Sequence, residues 1–276
     1  MKHIFQEFDH VYTMDRPCKI VNVFAPFDCE QHCTFCSTKE WYEDADYERW
    51  KVSLKKVIES KPNILIVTGG EPLLYLDELN EILKMSINCP EVYINTSFNV
   101  NTKEFVTLAN DFFRKGTLKG VNISRHHPAE IPFMDKMDFP IRINAVLEEN
   151  NPIVQVKSLI DYYKNCKATL TLRENYTKIN RTNLYDFNGE VLRYLTENYL
   201  LVEQQYCHFC SNFTFIIPNS NLKIRYHRGT NLTSAKIGTI TEHMELVLAP
   251  NGIIYSDWDK TTEGVEELLK CKTINR

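Results

Sequence analysis

The chain has 276 residues, 43% of them apolar and 25% charged, which suits one large domain, or a domain with an extension, around a sizeable core. Its net charge of −4 gives no overall attraction for nucleic acid or an anionic membrane. No apolar run approaches the roughly 18 residues of a membrane span, and the acidic N-terminal segment MKHIFQEFDH does not read as a signal peptide. A cytoplasmic setting is therefore expected, where the nine cysteines serve metal binding more readily than disulfides.

In chain order, strand patterns alternate with helix patterns. The β-branched run 19–24 (KIVNVF) predicts a first strand, and 50–60 a helix whose apolar face carries Val52, Leu54, Val57 and Ile58. The compact run 63–67 (NILIV) predicts a second strand, broken by Thr68-Gly69-Gly70-Glu71-Pro72. Asp77 is the expected cap of the next helix. Strands follow at 91–95, 120–124, 140–147 and 168–172, with helices at 102–115 (closed by Gly116), 153–165 and 190–200. Such alternation implies parallel βαβ units with right-handed crossovers. Six strands fall short of a full eight-stranded barrel.

The pattern changes near residue 206. The run 213–217 (FTFII) is a strand with no helix after it, and Pro250-Asn251-Gly252 between apolar runs signals a hairpin. A short helix is expected over 262–270. The expected fold class is thus α/β: an incomplete (β/α)6 parallel barrel over residues 1–205, then a C-terminal antiparallel β extension over 206–276 that covers substrate or carries an auxiliary metal.

The stretch with the most explicit chemistry is Cys29-x3-Cys33-x2-Cys36, directly after the first predicted strand. Three thiolates at this spacing can hold three irons of a [4Fe-4S] cluster and leave the fourth open to another ligand. A zinc site is the alternative for the same three residues. At the end of the second strand, Gly69-Gly70 permits close backbone approach, and Glu71 adds a negative charge. In a parallel barrel both segments fall on the rim where strands end, the functional face of such folds.

Cys29, Cys33 and Cys36 with an aromatic before the last cysteine, followed by Thr68-Gly69-Gly70-Glu71-Pro72, resemble the two sequence motifs of the radical SAM superfamily. The resemblance covers roughly residues 17–175. It implies a [4Fe-4S] cluster on Cys29, Cys33 and Cys36 that chelates S-adenosylmethionine (SAM) through its open iron. Phe35 would lie near the adenine, with Gly69, Gly70 and Glu71 at the methionine ammonium. Ser124, Arg142 and Asn144 extend the expected cofactor-binding set. Asn95, Thr96, Arg125, His126 and Arg173 are candidate substrate contacts, each also readable as ordinary strand-end or surface residues. The pattern is similar to the molybdenum-cofactor cyclase subgroup, except that Asn22 and Ile66 stand where that subgroup has arginines. Its triphosphate-binding chemistry is not expected here.

Cys207-x2-Cys210, with Cys271 downstream, leaves two readings open: a second metal site, or plain thiols. Asp257 and Trp258 are weaker candidates for substrate contact. The resemblance implies reductive cleavage of SAM to a 5′-deoxyadenosyl radical that abstracts hydrogen from substrate. It also implies a one-electron reductant such as flavodoxin or ferredoxin. A small nucleoside- or amino-acid-derived substrate is the first expectation, because no peptide-recognition domain is evident. A peptide- or protein-modifying maturase or activase is the second, and a non-enzymatic iron–sulfur or zinc scaffold the third. Neither a membrane nor a nucleic acid is an expected partner.

Overall fold

The computed structural model describes residues 5–7, 20–26, 28–30, 33, 36, 39–148, 150–175, 189–206, 210–229, 234–237, 240–243 and 245–256. In chain order its elements are β1 (Phe5–Glu7), β2 (Ile20–Phe24), α1 (Tyr47–Glu59), β3 (Ile64–Thr68), α2 (Leu76–Met85), β4 (Glu91–Thr96), α3 (Thr102–Arg114) and β5 (Leu118–Ser124). These are followed by β6 (Ile141–Val146), α4 (Pro152–Tyr163), β7 (Thr169–Arg173), α5 (Glu190–Asn198), β8 (Leu200–Tyr206), β9 (Cys210–Ile216) and β10 (Lys223–Gly229). The last are β11 (Ser234–Ile237), β12 (Ile240–His243), β13 (Leu246–Leu248) and β14 (Ile254–Tyr255). Among the described residues no helix is long and apolar enough to cross a membrane.

The chain divides into two compact units that interleave in sequence. One, here the cysteine unit, comprises residues 9–121, 131–140 and 233–276; the other, the arginine unit, comprises residues 1–8, 122–130 and 141–232. Strand β5 carries the chain from the first into the second.

In the cysteine unit the strand order is β4-β3-β2-β13-β14. Strands β2, β3 and β4 run parallel, β13 runs parallel to β2, and only β14 turns back against β13. Every second residue of β3 and β4 is buried, including Leu65, Val67, Val92 and Ile94. Helix α1 starts where the Asp46 carboxylate accepts the Arg49 amide at 3.0 Å. It buries Trp50, Leu54 and Val57, three side chains whose removal from water contributes about 1.5–3 kcal/mol each. Helix α3 buries Phe105, Ala109 and Phe112 along one face.

The expected Asn251-Gly252 hairpin joins β13 and β14. Gly252 has φ +77°, its amide donates to the Ala249 carbonyl at 2.9 Å, and a Cβ there would meet Arg49 at 2.7 Å. Asp77 is not the cap of α2: the helix begins one residue earlier, with Tyr75 at the cap position and no side-chain cap bond.

In the arginine unit the order is β1-β8-β9-β10-β7-β6. Strands β6 and β7 are parallel, as are β7 and β10, while β9 runs antiparallel to both β8 and β10. One face is apolar, with Ile143, Leu170, Leu172, Phe213, Phe215, Ile224 and Tyr226 all buried. Helix α4 packs on β7 and α5, and buries Val156, Leu159, Ile160 and Tyr163. The antiparallel β extension expected over residues 206–276 is corrected here. Strand β10 lies parallel to β7 and β13 parallel to β2, so these late strands extend existing parallel sheets. Among the described residues, antiparallel pairing there is confined to strands adjacent in sequence. The helix expected over 262–270 lies outside the described residues.

Candidate active site

The cysteine loop leaves β2 directly. Cys29 and Cys36 are exposed and Cys33 is half-buried. The Cys36 amide donates to the Cys33 carbonyl at 3.2 Å, closing a tight turn between the last two thiols. Phe35 lies outside the described residues. Among the described residues no three His, Cys, Asp or Glu side chains converge on one point as a single metal ion requires. A [4Fe-4S] cube takes one thiolate per iron and so accepts ligands that spread around it. Three soft, solvent-accessible sulfur donors on one short loop fit that group in chemistry and number.

The glycine-rich loop after β3 is tied to the cysteine loop by two bonds. The Glu71 amide donates to the Asp28 carbonyl at 2.9 Å, and the Tyr75 hydroxyl donates to the Asp28 carboxylate at 2.8 Å. Asp28 is the residue before Cys29, so the start of the thiol loop is fixed to the glycine loop at backbone level. Gly69 has φ +90° and Gly70 φ +52°. A Cβ at Gly69 would meet the Phe24 Cα and the Tyr42 hydroxyl, both at 2.9 Å, and the Gly70 amide donates to that hydroxyl. The first duty of these glycines is close packing on β2 and Tyr42.

Glu71 is buried, at 4% exposure, and its carboxylate accepts from four protein donors. They are the Leu73 amide at 3.1 Å, the Thr96 hydroxyl at 2.5 Å, the Ser97 amide at 2.7 Å and the Ser97 hydroxyl. Glu71 therefore braces the loop after β3 to the loop after β4. Of the candidate substrate contacts, Thr96 belongs to this brace, and Asn95 is half-buried beside it on β4. Asn22 donates to Glu245 at 2.5 Å within the same unit.

The remaining candidates belong to the arginine unit. Ser124 ends β5 half-buried, and its carbonyl accepts from Arg125 Nη1 at 2.8 Å. Arg125 is itself buried, with Nη2 directed to the Glu130 carbonyl at 3.3 Å and its amide donating to the Asn144 carbonyl at 2.8 Å. His126 Nδ1 accepts the Val146 amide at 3.0 Å, so the ring holds its proton on Nε2. Burial and the neighbouring His127 and Arg125 push its pKa down to about 4. This histidine is a neutral fastener between the loop after β5 and strand β6. From the sequence alone, His126 is a candidate substrate contact.

Arg142 and Asn144 share one face of β6, as period-two geometry predicts, and Arg173 ends β7 exposed. Cys210 is buried and accepts from Asn212 Nδ2 at 3.8 Å; Cys207 and Cys271, its expected partners in a second metal site, lie outside the described residues, as do Asp257 and Trp258. Sequence reasoning missed Arg225, Thr171 and Asn212, which stand beside Arg142 and Arg173 on the same face. The alternation in β10 (KIRYHRG) was the available signal.

Both units are mixed α/β with mostly parallel strands, a fold found in several solved structures. Three of these are structures of SuiB from Streptococcus suis. The structure of SuiB bound to S-adenosylmethionine aligns with a TM-score of 0.55 and 14% identity over 88% of this chain and 58% of SuiB. SuiB bound to the precursor peptide SuiA aligns at 0.54, with 16% identity over 95% of this chain and 62% of SuiB. A further SuiB structure aligns at 0.56 with 14% identity over 93% and 65%. The chain thus spans between 58% and 65% of the length of these proteins. No family profile matches the chain, and no curated protein matches its sequence.

Proposed function

We propose that the protein is a radical SAM enzyme that modifies a peptide. The single observation carrying this reading is the pairing of Asp28 with Glu71, which holds an exposed three-cysteine loop against the glycine-rich loop. Cys29, Cys33 and Cys36 would hold a [4Fe-4S] cluster through three irons, with the Gly69-Gly70 backbone on the SAM side. Glu71 then contributes by shaping that loop, since its carboxylate is engaged by Leu73, Thr96 and Ser97. When bound there, such a cluster would supply the single electron needed for reductive cleavage of SAM, the chemistry that makes hydrogen abstraction from a substrate possible. The chain's own contribution is to fix the thiols, order the glycine loop and orient substrate. An incomplete parallel barrel is the architecture this reading implies.

The peptide reading is preferred to the small metabolite expected from sequence. It is supported by the shared fold with SuiB, which binds both SAM and a precursor peptide. A soluble one-electron donor of the flavodoxin or ferredoxin type completes the system. A second metal at Cys207, Cys210 and Cys271 is not needed for it.

Anaerobic reconstitution with iron and sulfide tests the reading. The expected result is an oxygen-sensitive cluster of four irons per chain, lost in Cys33→Ala, and 5′-deoxyadenosine on reduction with SAM. A wild-type protein that takes up no iron, or that loads iron and yields no 5′-deoxyadenosine, refutes it.

A further inference from the structure

The strand register of the arginine unit assembles a polar face that none of the cysteine chemistry uses. Across the sheet, Asn144 of β6 aligns with Thr171 of β7, Thr171 with Arg225 of β10, Arg225 with Thr214 of β9, and Thr214 with Glu203 of β8. The next row on the same face runs Val146, Arg173, His227, Asn212, Gln205. The row on the other side begins Arg142, Thr169, Lys223. Residues two apart point to the same side of a strand, so Arg142, Arg173 and Arg225 surround Thr171 on one surface.

Two further facts point to a ligand there. Thr171 is 6% exposed, and its Oγ1 is a buried hydroxyl with no hydrogen-bond partner. An unmet buried hydroxyl is unfavourable by about 1–3 kcal/mol, and such atoms in a native sheet call for an explanation. Second, Arg225 is steered into this face: its Nε donates to Asn212 Oδ1 at 2.9 Å, and the same oxygen lies 2.9 Å from His227 Nδ1. The acidic group of the face is Glu203, whose carboxylate accepts from Gln205 Nε2 at 2.7 Å and from Thr214 Oγ1 at 3.1 Å. Burial, together with the charges of Arg142 and Arg173, lowers the Arg225 pKa to about 10.

We propose that this face is a carboxylate-recognition site that binds an acidic side chain of the peptide substrate, with Arg225, Arg142 and Arg173 supplying charge and the Thr171 hydroxyl donating to the bound oxygen. The assignment rests on the peptide reading above. Guanidinium groups suit it because they meet a carboxylate with two parallel N–H donors. It places specificity in the arginine unit and leaves SAM to the cysteine unit, so the Arg142 and Asn144 expected for the cofactor become substrate contacts.

The test uses reconstituted, anaerobic protein and three fluorescein-labelled synthetic peptides: an amidated Gly-Glu repeat, an amidated Gly-Gln repeat, and the Gly-Gln repeat with a free C-terminal carboxylate. Fluorescence anisotropy should show the Gly-Glu peptide binding at least about tenfold more tightly than the amidated Gly-Gln peptide. That preference should vanish in Arg225→Gln and persist in Arg114→Gln, whose exposed arginine pairs with Asp138. Thr171→Val removes a hydroxyl without changing volume much, so folding stability should hold or rise while Gly-Glu binding weakens about three- to tenfold. A purely structural Thr171 would lose stability and leave binding unchanged. Equal affinity for the two amidated peptides overturns the proposal. So does an unaltered preference in Arg225→Gln, or tight binding of the free-carboxylate Gly-Gln peptide alone. SAM cleavage without peptide is measured on the same protein: normal 5′-deoxyadenosine with no acidic preference removes only the arginine site, whereas acidic preference without 5′-deoxyadenosine removes only the radical chemistry.

Discussion

The amide of Glu71 and the carbonyl of Asp28 form a 2.9 Å hydrogen bond that joins the loop after β3 to the first residue before the cysteine triad. The same Glu71 reaches the opposite way with its carboxylate, to Leu73, Thr96 and Ser97. One residue therefore couples three successive strand ends. Replacing it by alanine leaves four donors without an acceptor in a buried place. We expect Glu71→Ala to lower stability by about 3–5 kcal/mol, and Glu71→Gln, which keeps one acceptor oxygen, by about 1–2 kcal/mol. Urea unfolding measures both; an alanine variant within about 0.5 kcal/mol of wild type would remove the brace.

Gly69 and Gly116 both have positive φ, +90° and +80°, but different surroundings. At Gly69 an added Cβ meets main-chain and side-chain atoms at 2.9 Å; at Gly116 nothing lies within 4 Å. Alanine at Gly116 should cost about 1 kcal/mol, the conformational penalty alone. Alanine at Gly69 should cost roughly 3 kcal/mol or more, because backbone must also move. Equal midpoints in urea for the two variants would contradict the packing assigned to Gly69.

His126 makes stability depend on pH in a defined window. Its folded pKa of about 4 lies below the unfolded value of 6.5. Between these values the unfolded chain holds the proton and the folded chain does not, so stability falls as pH drops from about 6.5 to about 4. The full effect of this one group is roughly 3 kcal/mol. Proton exchange at the imidazole is directly visible by NMR: the His126 ring should stay neutral at pH 5. Against a wild-type series of unfolding curves, His126→Asn should show a shallower loss between pH 7 and 5.

Tyr75 contributes through its hydroxyl bond to the Asp28 carboxylate. Tyr75→Phe removes one partly exposed hydrogen bond, so global stability should change by about 1 kcal/mol or less. The thiol loop it restrains is the one proposed to carry the cluster. Iron release to a chelator should then be severalfold faster at unchanged unfolding midpoint. Identical release rates would show that Asp28 is fixed well enough by Glu71 alone.

The strand–helix alternation from Ile20 to Arg173 is legible because burial imposes its period on the sequence: every second residue in β3, β4 and β6, and a three-to-four spacing in α1, α3 and α4. The cysteine spacing is equally local. What sequence does not carry is partner choice. Thr96 and Ser97 look like turn residues until the fold brings them to a carboxylate 25 and 26 positions earlier. Likewise β10 alternates clearly, yet only the folded register sets Arg225 beside Thr171 and on the face of Arg142. The adjacent histidines mislead for a related reason, since His126 is claimed by a backbone amide of the next strand.

The pairing of β2 with β13 also bears on how the chain is made. Asn22 and Glu245, whose side chains bond across this junction, are 223 positions apart. At ribosomal speeds of about 5–20 residues per second, β2 emerges roughly ten seconds or more before the strand that closes its edge. Through that interval a β-branched apolar strand, IVNVF, presents an open edge to other chains. Slow, concentration-dependent production of folded protein, relieved by lower expression temperature or by holding chaperones, is the practical consequence of that late-arriving neighbour.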